Sequence, residues 1–298
     1  MLSKQFLIKR KQCCGNGCLM CPYIPKHTKG SYKIMNRMGY ACINMQLSSQ
    51  KPKIYTGRSM IKRTFKDKGI KYASELGLQN TKDLFEIIKW NKENGFDFFR
   101  ITSNLFPWCS EYKLEDMPDH WEIAGILGEI GKYVDEHKIR LTSHPGPFNV
   151  LTSPHEHVVE NCINDLSTHG EVFDMMGLSR TPYNKINIHI GGAYGDKVSA
   201  MERFCENFHR LPNSVKSRLT VENDDKATMY SVKDLYEGVY CKIGIPIVFD
   251  YHHHRFCTGG LSEEDALEVA ISTWGDIKPV VHYSESRNIE QEDDKIRP

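Results

Sequence analysis

No aspartate or glutamate occurs before Asp67, although residues 1–66 contain 14 Lys and Arg. The formal net charge of +1 therefore hides a basic first quarter on an acidic remainder. Such a segment fits a polyanion, with a merely solvated basic stretch as the plain alternative. An apolar run of about 18 residues is also missing, so no membrane-spanning helix is expected. The start, MLSKQFLIKRKQCC, lacks the long apolar core and cleavage site of a secretory signal, while its basic, acid-free character leaves a mitochondrial presequence open. An intracellular protein (nuclear, cytoplasmic or viral) is the expectation. No disulfide framework is legible, because Cys42, Cys109, Cys162, Cys205 and Cys241 are scattered and read as free thiols of a reducing compartment.

Cysteines cluster only in CCGNGCLMCPY. Cys13, Cys14, Cys18 and Cys21 have a spacing at which thiolates hold Zn²⁺ or an iron–sulfur cluster, and the glycines permit the tight loop. Residues 1–34 are accordingly read as a small basic, Cys-rich segment with a possible structural metal, and 35–298 as one large domain.

From residue 38 onward, short branched or aromatic runs alternate with stretches of helical period. Strands are expected at 38–45, 96–103, 139–145, 185–191, 218–223, 245–251 and 278–284. Helices are expected near 82–94, 119–137, 155–177, 196–210, 231–242 and 262–274, with Ser262 placed to cap the last. Residues 46–81 read as a long polar crossover carrying Lys51, Lys53, Arg58, Lys62 and Arg63. Strand–helix alternation with apolar strands predicts an α/β fold with a parallel sheet, and seven units in about 260 residues suit a (β/α)8-type TIM barrel. No G-x-G-x-x-G follows the first strand, and HIGGAYG has another spacing, which counts against a dinucleotide-binding sheet.

The polar residues at the strand ends are Asn44, Ser103 with Asn104, His144, His189, Glu222 with Asn223, Asp250 with His253, and His282. In a barrel these converge on one face. Four imidazoles and two carboxylates without a cation would be electrostatically costly, and they suit Zn²⁺ or Mn²⁺. The set exceeds what one tetrahedral ion needs, so two or three ions are expected, a grouping that stabilises phosphoryl displacement. Phosphodiester hydrolysis on a nucleic acid is the reaction class that also gives the basic quarter a role.

The ordered motifs MGYACINM, FRITSNLFP, LTSHPG, HIGGAYG, VENDD, FDYHHH and VHYSES, spanning roughly 38–288, resemble the UV damage endonuclease family. The resemblance implies a metal-dependent barrel enzyme that nicks double-stranded damaged DNA immediately 5′ of a UV photoproduct, leaving a 3′-hydroxyl and a 5′-phosphate, and acting as a monomer. It implies His144, His189, Glu222, Asp250, His253 and His282 as metal ligands, with Glu222, His144 and His189 at the centre of the chemistry. Within the triple histidine it selects His253, leaving His252 and His254 to face elsewhere or to contact DNA. Tyr40 and Asn44 would line the lesion site, and the Lys and Arg of residues 51–66 would meet the phosphates.

The departures are specific. Glu111 stands where the family often has a His, and would still coordinate. Pro147 and Phe148 replace a Gln-Tyr pair that probes the damaged bases, so Phe148 is left as the wedge. Val280 replaces a Lys near the metals. The family pattern continues beyond Pro298 with another His and a final strand ending in a Glu ligand, so the resemblance implies either that the chain is a fragment or that the metal cluster and the eighth strand are incomplete. Two other classes compete: a metal-dependent sugar isomerase or epimerase on a similar barrel, and a non-catalytic DNA-binding descendant.

Overall fold

All seven branched or aromatic runs become strands. The computed structural model describes residues 38–284, with Lys29 and a small antiparallel pair formed by β1 (Tyr23–Ile24) and β2 (Lys33–Ile34). The Cys13, Cys14, Cys18 and Cys21 cluster and the acidic 290–295 run lie outside the described residues.

The main sheet contains β3 (Gly39–Ala41), β4 (Phe98–Ile101), β5 (Arg140–Ser143), β6 (Ile186–Ile188), β7 (Leu219–Glu222), β8 (Ile247–Asp250) and β9 (Val281–His282). The strands pair in sequence order and every pairing is parallel. Strands β5 to β8 are buried at every position, as a parallel sheet covered on both faces requires. Parallel neighbours need crossovers, and these are supplied by the helices Lys62–Glu93, His120–Glu136, Glu156–Met175, Lys197–Phe208 and Glu263–Ser272, together with the broken helical run over residues 232–243. Ser262 does cap its helix, accepting from the Asp265 amide at 3.1 Å.

The result is a curled parallel half-barrel of the TIM type with helices outside. Among the described residues β3 and β9 do not pair. The curl nevertheless brings the last strand across the interior: Arg140 on β5 donates to Lys278 O at 2.8 Å, and Lys185 Nζ, just before β6, lies 3.3 Å from His282 Nε2.

Alternation along each strand separates two environments. Phe99, Leu141, Ile186, Leu219, Ile247 and Phe249 join the core beneath the helices with Leu84, Leu127, Leu166 and Phe204. On β8, Val248 instead meets Trp274 and Val280, with Phe98 packed alongside. The interior is largely polar, with Thr220 donating to Asn187 at 2.7 Å and Asn187 donating to Glu222. At one glycine the helices demand a close approach, since a Cβ on Gly131 would stand 1.6 Å from Met176 O.

One expectation fails. Much of the 46–81 crossover is helix, because the helix covering 82–94 begins at Lys62. Its inner face includes Ser74, Asn80, Thr81 and Asp83 beside Ala73, Leu84, Ile87 and Ile88, so the apolar period was masked by buried polar residues. A break at Gly69, with φ of 64°, interrupts it. No helix among the described residues is long and apolar enough to cross a membrane.

Candidate metal centre

Glu222, the last residue of β7 and only 2% exposed, is the hub of the strand ends. His144 Nε2 lies 3.2 Å from its Oε2 and His282 Nδ1 2.9 Å from the same oxygen. His253 Nδ1 and His189 Nε2 approach Oε1 at 3.5 and 3.9 Å. Asp250 Oδ2 is 4.0 Å from His282 Nδ1. Two groups therefore meet at one carboxylate: His144, His189 and Glu222, and Glu222, Asp250 and His253, the ligand atoms of each within 4.8 Å of one another.

Local structure aims these side chains. His144 Nδ1 faces Pro145 O at 3.1 Å and His253 Nδ1 faces Asn223 O at 2.9 Å. A carbonyl only accepts, so each Nδ1 donates to it and the orientation of each ring is fixed. His189 Nδ1 stands 3.3 Å from Asp224 Oδ1, which turns its Nε2 toward Glu222. His282 is reversed, with Nδ1 on Glu222 and Nε2 on Lys185. Asp250 ends β8 and accepts from the His253 amide at 2.9 Å, so the short turn Tyr251–His254 returns His253 to the hub. Asn223 clamps the Asp250 backbone through two bonds, at 2.8 and 3.1 Å.

The electrostatics suit cation binding. Burial alone would raise the Glu222 carboxyl, but His282 and His144 hold it well below the usual carboxylate range. Burial pushes His282 down to about 4 and Lys185 down to about 7. Burial opposes protonation of His189, yet its bond to Asp224 leaves it raised. A buried carboxylate ringed by imidazoles offers the donors that a divalent cation takes up. The donors are imidazole nitrogens and carboxylate oxygens with no thiolate, a set that fits a divalent first-row cation.

The remaining expected residues divide. Tyr40 and Asn44 adjoin each other, with Asn44 donating to the Tyr40 hydroxyl at 2.8 Å and capping the turn Met45–Ser48. Pro147 is exposed, and Phe148 is 87% exposed on the loop after β5. Lys51, Lys53, Lys62 and Arg63 are exposed. Arg58 is not a free surface cation, since it is paired with the buried Asp83 at 2.7 Å and donates to Lys53 O. Glu111 is outside both ligand groups, exposed and 3.8 Å from Lys62 Nζ. His252 packs on Phe256, and the buried His254 packs on Phe249, so neither joins the hub.

Sequence reasoning missed Asp224, Asn187 and Lys185 as supports of the ligands. Asp224 was visible within VENDD, but Asn187 and Lys185 give no signal until strand alternation turns them inward.

The family model described as UV-endonuclease UvdE matches residues 36–297. The UV-damage endonuclease of Schizosaccharomyces pombe is 37% identical over 264 residues, covering 84% of this chain and 42% of that protein. The UV DNA damage endonuclease of Bacillus mycoides is 36% identical over 216 residues, covering 71% of this chain and 65% of that protein. The crystal structure of SacUVDE matches with a TM-score of 0.73 at 34% identity, over 84% of this chain and 81% of that one. The chain thus spans less than half the length of the S. pombe relative.

Proposed function

This chain belongs to the UV-endonuclease UvdE family, and on that premise we propose that it is a metal-dependent DNA repair endonuclease. It nicks duplex DNA immediately 5′ of a UV photoproduct and leaves a 3′-hydroxyl and a 5′-phosphate. The observation that carries this reading is the convergence of four imidazoles and Asp250 on Glu222 at the C-terminal ends of parallel strands.

Two ions, Mn²⁺ or Zn²⁺, would be held around Glu222, one with His144 and His189 and the other with Asp250 and His253, and His282 stands 2.9 Å from Glu222 beside them. A divalent ion supplies Lewis-acid polarisation of a phosphoryl oxygen and acidifies water. The protein's own work is to hold the ligands. Asp224, Pro145 O and Asn223 O fix three imidazoles, and Asn187 donates to Glu222, so the carboxylate cannot swing away. Lys51, Lys53, Lys62 and Arg63 would neutralise phosphates. Phe148 would enter the stack where a photoproduct has already weakened it, with Tyr40 and Asn44 at the edge of the site. A sugar isomerase would give no role to Phe148 or to these cations.

The test is direct. The protein is incubated with UV-irradiated and unirradiated duplex in Mn²⁺, and nicks are mapped. Cleavage 5′ of photoproducts in the irradiated duplex alone is expected. An uncut irradiated duplex would sink the proposal.

A further inference from the structure

A second polar network lies behind the metal centre, and its members are not ligands. Helix Glu156–Met175 carries Asp165 and His169 one turn apart. Asp165 Oδ2 accepts from Asn149 Nδ2 at 2.7 Å, and its Oδ1 accepts from Cys109 Sγ at 3.3 Å. His169 Nε2 lies 3.8 Å from Asp165 Oδ2, while its Nδ1 is 2.9 Å from Ser143 Oγ. Ser143 is the last residue of β5 and immediately precedes His144.

Each partner occupies a telling place. Asn149 follows Phe148, and both its amide nitrogen and its side chain donate to Gly146 O, at 3.2 and 3.1 Å. These bonds close the turn that lifts Pro147 and Phe148 into solvent. Cys109 opens the turn Cys109–Glu111 on the loop after β4. Asn149, Cys109 and Ser143 are all buried, and burial together with the Asp165 charge keeps Cys109 a thiol, hence a donor. One carboxylate thus ties two loops of the catalytic face to a helix, and from the same helix His169 separately meets Ser143 on the strand that precedes His144.

We propose that Asp165 is the positioning residue of the Phe148 loop and thereby sets discrimination of damaged from undamaged DNA without itself touching either. The inference rests on the endonuclease reading. An aromatic wedge with 87% of its surface exposed has no packing of its own to stiffen it. It separates bases only if its root is held, because a side chain on a swinging loop yields before the stack does. The root here is Asn149, and the charge-assisted bond to Asp165 is what holds Asn149 to the helix.

The test uses the whole protein, a duplex with one site-defined photoproduct and the matching undamaged duplex. Asp165→Ala is expected to lower the ratio of kcat/KM on the two substrates about tenfold or more, with metal content and folded fraction retained. Asp165→Asn, which keeps an acceptor for Asn149, restores most of that ratio. The deciding comparison is the double variant Asp165→Ala/Phe148→Ala. If Asp165 acts through Phe148, the double variant discriminates no worse than Phe148→Ala alone. An unchanged ratio in Asp165→Ala overturns the inference, as does an additive double variant or a loss matched by falling metal content. Absence of any preference in the unaltered protein removes the endonuclease reading as well, so the two failures are distinguishable.

Discussion

At the scale of single residues, Glu222 is, among the described residues, the side chain common to both candidate ligand groups. Glu222→Gln is expected to abolish metal binding, read by elemental analysis, and with it any nuclease activity. The triple histidine gives a sharper contrast. His253→Ala should lower bound metal, whereas His252→Ala should leave it unchanged, since His252 leans on Phe256 away from the hub. Asp224→Asn tests the support of His189: metal affinity should fall roughly 10- to 100-fold, the usual effect of removing a partner that orients a ligand. These assignments were partly legible beforehand. His144, His189, Asp250 and His282 stand at or just past strand ends, where the strand pattern finds them, whereas His253 is singled out among three histidines by the family resemblance. Glu111 did not follow, because the turn that bears it points it at Lys62, and no strand alternation governs a loop.

At the scale of elements, the floor of the barrel is held by buried guanidinium groups. Arg218, 0% exposed just before β7, donates to Leu178 O at 2.6 Å, Ser179 O at 3.0 Å, Ser214 O at 2.8 Å and Asp174 Oδ1 at 2.8 Å. Replacing it with Met strands those acceptors and should destabilise the fold by roughly 3–5 kcal/mol in chemical denaturation. For its partner, burial pushes the Asp174 carboxyl up, but the bonds from Arg180 and Arg218 win and hold it below its ordinary value. A depressed carboxyl contributes stability above its unfolded pKa and loses it as pH falls through the folded one. The gap between the unaltered protein and Asp174→Asn, about 1–3 kcal/mol at pH 7, should therefore close below the ordinary Asp range near pH 4. The seven strands were readable because each is a dense apolar or branched run. The helix from Lys62 was not, because Asn80 and Asp83 use their buried places to bond Arg58 and Tyr55 of the preceding segment. A helix face that binds a loop looks polar in sequence even when it is inside.

At the scale of the whole molecule, the proposed endonuclease reading and the asymmetry of charge together predict a salt-dependent affinity for DNA. Each phosphate neutralised contributes a slope near −0.9 in log K against log salt, so Lys51→Ala/Lys53→Ala should flatten that slope by about 2 units. The match to family members was legible from ordered motifs across the chain, but the polar interior was not, because it exists only once the sheet curls. That interior has a consequence of its own. Arg140 opens β5 and Arg218 immediately precedes β7, while Glu222 and Asp250 close β7 and β8. Buried guanidinium groups thus lie toward the floor of the half-barrel and buried carboxylates toward its mouth. For the proposed endonuclease, carboxylates at the mouth would attract cations and repel phosphates, so ions are expected to load before the backbone of DNA settles. Titration calorimetry should find tight duplex binding after Mn²⁺ is added and weak binding in EDTA, with the exposed lysines unable to make up the difference.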